Sequence, residues 1–328
     1  MTPYLALLSA GTLLGLLLTP AVTSASMSLG LVDAPGGRKV HSTAVPRIGG
    51  LAIASAATLA LLLVVWGLSM VGMTSPDFVP LWPVFAGAAL VFAVGLVDDF
   101  TTLAAVPKLA IEAIAAGLVM ASGLLIERLT IGGTTLTLGI LAYPVTFAWI
   151  IGLTNAFNLI DGIDGLATGI AVIAGTTCAA ILVWRGHAAE AMLLCALVGA
   201  ALGFLVYNFA PASIFLGDGG SLLFGFVLAT TAITGWQKGA TALAAGVPLL
   251  IFALPLTDTL SALVRRTTRG GGGPMTVTGL LMRIAEPDRE HIHHRLMALG
   301  WSTRRVVTVL YGLTILLSAL ALLTVRDE

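Results

Sequence analysis

Apolar runs of roughly 17 to 25 residues recur along the chain, each closed by a polar or Gly/Pro-containing break, and that length suits a helix crossing a hydrocarbon core. The pattern predicts spans at 3–22, 49–72, 81–97, 107–126, 138–156, 165–184, 190–207, 221–235, 241–263 and 306–325. Ten such spans make the expected fold an all-α polytopic membrane protein, one domain over 1–328. The first run, "MTPYLALLSAGTLLGLLLTPAV", lacks the basic start of a signal peptide and reads as a retained span.

Alternation of the spans sorts the connections into two sets. One set holds 23–48, 98–106, 157–164, 208–220 and 264–305; the other holds 73–80, 127–137, 185–189, 236–240 and both termini. Of the sixteen Lys and Arg, the first set and its borders take Arg38, Lys39, Arg47, Lys108, Arg265, Arg266, Arg269, Arg283, Arg289, Arg295, Arg304 and Arg305. Only Arg128, Arg185, Lys238 and Arg326 fall on the second side, so the first is expected to be cytoplasmic. The second side's connections read as short, Gly- or Pro-containing loops.

Composition agrees: 58% of residues are hydrophobic, 10% are charged and the mean hydropathy is +1.02, well outside the soluble range. A net charge of zero with no basic backbone-binding patch argues against a nucleic-acid partner. Cys178 and Cys195 lie inside apolar runs and read as packing residues rather than a disulfide or metal pair.

The predicted cytoplasmic side also collects the chain's unusual chemistry. It carries "DAPGGRKVHSTAVPRIGG" (33–50), "GLVDDF" (95–100), "NAFNLIDGIDGLATG" (155–169), "YNFAPASIFLGDGGS" (207–221) and "DREHIHHRL" (288–296). Hydropathy alone set the spans, so the shared side is independent support for one composite site at the membrane boundary. Asp98 and Asp99 are adjacent like charges at a span end; either could cap a helix, but a hard divalent cation, Mg²⁺ with Mn²⁺ as the alternative, relieves their repulsion. Asp161 and Asp164 each precede a Gly, which suits turn formation, while Asn155 and Asn158 inside the preceding span point to ligand hydrogen bonds. Asp218 sits in a Gly-rich turn before a helix, where backbone N–H groups cradle anions and an acid can hold a bridging metal.

His291, His293 and His294 could form a three-His Zn²⁺ site, but neighbouring Arg289 and Arg295 favour phosphate or pyrophosphate. Lys108 suits a phosphate, could snorkel to headgroups, or could pair with Glu112 at i+4. Asp258, inside the ninth predicted span, reads equally as a functional group or as a structural partner in the bundle. "GGGG" at 270–273 reads as a flexible connection, since no Lys-Ser/Thr follows it.

From residues 31 to 300 these five motifs, in order, resemble the polyprenyl-phosphate N-acetylhexosamine-1-phosphate transferases. The "HIHHRL" and "RKVHSTAVPR" forms look more like the branch that starts teichoic-acid, O-antigen or arabinogalactan linkage chains than like phospho-MurNAc-pentapeptide translocase. The resemblance implies that a UDP-HexNAc, GlcNAc first, and undecaprenyl or decaprenyl phosphate give a lipid-diphospho-sugar and UMP at the inner face of a bacterial plasma membrane. It implies Mg²⁺ on Asp218 with Asp99 as the second ligand, and Asp98 orienting or deprotonating the lipid phosphate. Asp161 and Asp164 with Asn158 would hold uridine, sugar or a metal-bound water. Lys108, His291, His293 and His294 would neutralise phosphates, and Arg38, Lys39, His41, Asn155, Asn208, Gly217, Arg289 and Arg295 complete the substrate-binding set. Many members are dimers, so a homodimer is allowed. Two departures stand out: the connection "TTRGGGGPMTVTGLLMRIAEP" is long and Gly-rich, and an eleventh span found in many relatives is missing after the tenth. The alternatives are the peptidoglycan-precursor transferase, with the same chemistry on another donor, and a membrane transporter. The transporter predicts acids spread through the bilayer depth and an inverted repeat.

Overall fold

The computed structural model describes residues 2–33, 44–131, 134–236, 246–268 and 291–326. Twelve helices carry the described chain: α1 Thr2–Ser28, α2 Gly49–Met70, α3 Trp82–Thr101, α4 Ala105–Ala121, α5 Ala142–Ile160 and α6 Leu166–Trp184. They continue as α7 Ala188–Asn208, α8 Gly217–Trp236, α9 Gly246–Ile251, α10 Ala253–Thr268, α11 Ile292–Ala298 and α12 Thr303–Arg326. Seven described segments are long and apolar enough to cross a membrane: α1, α2, Val79–Thr101, Gly139–Ile160, α6, α7 and Thr303–Val325. The 17-residue α4, α8 and the α9–α10 pair pack among them.

The apolar surface divides according to solvent. α6 and α7 are buried along most of their length, and Phe157, Phe204, Phe224, Phe226 and Phe252 are fully buried with them. α1 and α2 lie outside, turning Leu13, Leu17, Leu62 and Trp66 outward as a lipid-facing surface would. Cys178 and Cys195 are free thiols in this packed interior.

Two local departures from the hydropathy reading have clear causes. The ninth predicted run, 241–263, is a broken element where it is described: α9 ends at Ile251 and α10 starts at Ala253. Pro255 has no N–H to give the Ile251 carbonyl, and its ring crowds that turn. The connection 127–137 is more than a loop, since β3 Arg128–Ile131 pairs antiparallel with β4 Thr134–Thr137, Ile131 opposite Thr134. The alternation of Leu and Ile with Thr on either side of Gly-Gly is a strand pattern that a hydropathy scan for long runs overlooks. A two-residue pair, β1 Val32–Asp33 with β2 Val45–Pro46, closes the base of the segment that enters α2.

The helix alternation places the C-termini of α3, α5 and α7 beside the N-termini of α2, α4, α6 and α8. Direct bonds establish this: Gly50 N–H to the Leu216 carbonyl (2.8 Å), Lys108 to Asp98 (2.8 Å) and Ala212 N–H to Asp164 (2.9 Å).

Candidate functional site

The centre of this end is the turn that starts α8. Asp99, in the last turn of α3, accepts the N–H of Asp218 (2.8 Å) and of Gly219 (3.1 Å) on its two oxygens, so it caps α8 from another helix. Gly217 has φ +77°, and a Cβ there would lie 2.2 Å from the Arg47 carbonyl oxygen and 2.6 Å from an Asp99 oxygen. Only glycine suits that conformation and that approach. On the other side Gly50 opens α2 against Gly219 and Gly220, backbone to backbone. The "PRIGG", "GLVDD" and "FLGDGG" motifs are therefore one packed unit.

Lys108 stands at the mouth of this unit. Its Nζ donates to Asp98 Oδ2 (2.8 Å) and Asp218 Oδ2 (2.5 Å), so two carboxylates from separate helices converge on one cation. Asp98 also accepts the Leu103 N–H, reached through Thr102 in the left-handed region at φ 56°. The Lys108–Glu112 pair, one of the three readings of Lys108, does not form among the described residues. Glu112 is buried one turn deeper and accepts from Asn155 Nδ2, while its Oε1 has no hydrogen-bond partner among the described residues. The carboxylates above draw the ammonium out of reach.

The "DGIDG" loop forms the second wall. Asn158 Nδ2 donates to Ser221 Oγ (3.0 Å) in the first turn of α8. Asp164 accepts the Ala212 N–H and ties this loop to the one before α8. Asn208, expected among the substrate-binding residues, is 2% exposed and fully engaged by protein: its Oδ1 accepts from Thr168 (2.8 Å) and its Nδ2 donates to the Ile214 carbonyl (3.0 Å). Asp161 is different, having no side-chain hydrogen bond among the described residues. Loss of hydration, then the carboxylates of Asp218, Asp99 and Asp164, hold its carboxyl well above the usual carboxylate range. From behind, the Tyr311 hydroxyl of α12 donates to the Gly165 carbonyl (2.5 Å) and Arg304 donates to the Ala210 carbonyl (2.8 Å).

The His motif completes the site at α11. His293 is fully buried, neither ring nitrogen has a hydrogen-bond partner among the described residues, and a Cβ on Gly162 would meet its Nε2. The ring therefore rests on the "DGIDG" loop, and burial pushes it down to about 4, with His294 the next cause. Its ring lies parallel to that of His291 (centroids 5.8 Å apart) and tilted against His294 (4.3 Å). His291 and the Ile292 N–H both bond Asp258 of α10. Arg295 is exposed. Arg38, Lys39, His41 and Arg289 lie outside the described residues, as does the Gly-rich stretch 270–273.

Among the described residues no three His, Cys, Asp or Glu side chains converge as a ready-made metal cage. The sequence reading did not place Glu112, Ser221, Arg304 or Tyr311 at the site. Polar groups inside apolar runs were the only signal for Glu112 and Tyr311, and their partners are distant in sequence.

Comparison with known proteins is consistent across the chain. Residues 81–236 match glycosyl transferase family 4. The chain is 36% identical to a Bacillus subtilis protein named "Probable undecaprenyl-phosphate N-acetylglucosaminyl 1-phosphate transferase", over 94% of this chain and 81% of that one. It is 35% identical to the decaprenyl-phosphate N-acetylglucosaminephosphotransferase of Mycolicibacterium smegmatis, over 87% and 73% of the two chains. It is also 32% identical to a phospho-N-acetylmuramoyl-pentapeptide-transferase of Synechococcus, over 92% and 82%.

Proposed function

Because the chain belongs to glycosyl transferase family 4, we propose that it transfers GlcNAc-1-phosphate from UDP-GlcNAc to a polyprenyl phosphate, releasing UMP and a lipid-diphospho-sugar. The observation that carries this reading is the convergence of Asp98, Lys108 and Asp218 on one point at the end of a membrane bundle, walled by the "DGIDG" loop and the His motif. A lipid phosphate and a soluble nucleotide sugar meet at such a boundary and nowhere deeper. The excess of Lys and Arg at this end supports a cytoplasmic orientation in a bacterial plasma membrane.

The donor set fits Mg²⁺. Asp98 Oδ2 and Asp218 Oδ2 already lie within 2.8 and 2.5 Å of a single cationic nitrogen, and carboxylate oxygens are the hard ligands this ion takes. Those two residues would hold it, with Asp99 positioning Asp218 through its N–H rather than ligating. An ion bound there supplies charge neutralisation for the pyrophosphate.

The remaining work falls to side chains. Two anions must approach each other, and Lys108 offsets that repulsion; His293, expected to neutralise phosphate, is held neutral by burial and does not share in it. With a second pKa of about 6, the lipid phosphate is mostly dianionic at neutral pH, so a general base helps little. Among the described residues the Asp161 side chain makes no hydrogen bond and its proton affinity is raised, which suits it to share a proton with an incoming phosphate. Attack of the phosphate oxygen on the β-phosphorus then expels UMP.

Transferase membership sets aside the transporter reading. The donor is tested with purified protein in nanodiscs containing undecaprenyl phosphate, given UDP-GlcNAc, UDP-GalNAc or UDP-MurNAc-pentapeptide, with Mg²⁺ or chelator. UMP release from UDP-GlcNAc that needs Mg²⁺ is expected. Release from the pentapeptide donor alone would replace this reading with the peptidoglycan one, which the Synechococcus likeness supports; release in chelator would remove the Mg²⁺.

A further inference from the structure

The His motif rides on α11, a seven-residue helix, far below the length at which a helix holds itself in water. One polar anchor among the described residues is a carboxylate from a helix 33 positions earlier. Asp258 Oδ2 lies 2.8 Å from His291 Nδ1, and Asp258 Oδ1 accepts the Ile292 N–H at 2.8 Å. Both partners are almost dry, His291 at 5% exposure and Asp258 at 6%. The bidentate contact fixes three things together. It satisfies the first orphan N–H of α11. It sets the ring plane of His291, against which His293 lies parallel at an interplanar angle of 4°. It also sets the tautomer, because an ionised carboxylate only accepts and Nδ1 must then carry the ring proton. Nε2 of His291 has no partner among the described residues.

We propose that Asp258 is a positioning residue of the transfer reaction: it holds His291 with Nδ1–H on the carboxylate and leaves Nε2 to take the proton that the lipid phosphate still carries and to donate it as a hydrogen bond to a phosphate oxygen. The reaction part rests on the function proposed above; the pairing does not. The geometry is that of a base oriented by a buried acid, an arrangement whose removal characteristically costs about 10- to 100-fold in activity at sites where the acid acts through the imidazole.

The test uses full-length protein in nanodiscs with ¹⁵N-histidine labelling. His291 is assigned by its disappearance in His291→Asn, and its ring ¹⁵N shifts are read above neutral pH. Wild type is expected to show protonated Nδ1 and bare Nε2. Asp258→Asn is expected to move the proton to Nε2 and to lower kcat for UMP release by about 10- to 100-fold while KM for UDP-GlcNAc changes little. Asp258→Glu should recover both readouts in part, and Asp258→Asn added to His291→Asn should cost nothing more. Protonated Nε2 in wild type, or unchanged kcat in a folded Asp258→Asn, would overturn the proposal. If Asp258→Asn does not fold, the wild-type spectrum and Asp258→Glu still decide. Wild type that releases no UMP would refute the reaction, leaving the ring shifts to judge the pairing.

Discussion

The backbone-to-backbone approach of Gly50 to the α8 turn makes a quantitative prediction. A Cβ on Gly50 would lie 2.3 Å from Gly220 N, 2.7 Å from Gly220 Cα and 2.8 Å from Gly219 C. All three are backbone atoms, so no rotamer change makes room. Ordinary contact begins near 3.4 Å, and Gly50→Ala must therefore push the start of α2 about 1 Å off the α8 turn. That movement strains the bonds from Gly49 N–H to the Phe215 carbonyl (3.0 Å) and from Gly50 N–H to the Leu216 carbonyl (2.8 Å). Overpacking costs about 1–3 kcal/mol and each weakened bond about 1, against which alanine's helix preference returns at most about 1. The net loss is about 3 kcal/mol. Gly67 in the same helix has nothing within 4 Å of its would-be Cβ, so Gly67→Ala should be neutral or stabilising by up to about 1 kcal/mol. Asp218 sits two residues from Gly220, and a shift of about 1 Å at a reacting centre can cost about 100-fold. Thermal unfolding by Trp fluorescence and UMP release measure the two effects. If Gly50→Ala matches Gly67→Ala in both, the close-packed unit described here is wrong.

Three other outcomes are expected. In chelator, Lys108→Gln leaves Asp98 and Asp218 facing each other without a cation and should lower stability by about 2 kcal/mol, less than a fully buried pair would lose because the groups keep some solvent; millimolar Mg²⁺ should restore most of the midpoint, and no Mg²⁺ effect would refute a cation site there. Glu112→Gln keeps the acceptor for Asn155 and removes a charge whose Oε1 is buried and unpartnered, so its unfolding midpoint should be unchanged or raised, whereas Glu112→Ala should cost about 1–3 kcal/mol; equal losses in the two would show that the charge itself is needed. His293 titrates near 4 in the folded protein against about 6.5 unfolded, so the unfolded chain binds more protons between those values and stability falls as pH drops through that window. At about 1.4 kcal/mol per pH unit the loss is capped near 3 kcal/mol, His293→Leu should flatten it, and an acid limb equally steep in that variant would exclude His293 as its source.

Much of this molecule is legible in one dimension. Lipid penalises every unpaired backbone group, so long apolar runs have to be helices, and the positions of α1 to α8 and α12 follow from run length with ends shifted by a few residues. The acids and histidines at run ends mark out the residues gathered at the candidate site for a related reason: charges survive in such a chain mostly near its edges or paired. Run length does not convey chain geometry of short range, and the break at Phe252 and the pairing of β3 with β4 were hidden for that reason.

Partnership was decided in three dimensions. Lys108 lies four residues from Glu112 on one helix, yet it bonds Asp98 and Asp218 because α3 and α8 bring two carboxylates within about 3 Å of it. Asp99, next to Asp98 in sequence, points to the opposite task and caps α8, since successive helical residues face about 100° apart. Asp258 could be placed only as an acid in an apolar run, and folding assigned it to His291. Sequence sets which groups can afford to stay in an apolar chain, through solvation and helix periodicity. Tertiary packing sets which of them meet, because a hydrogen bond or ion pair depends on tenths of an ångström between elements far apart along the chain.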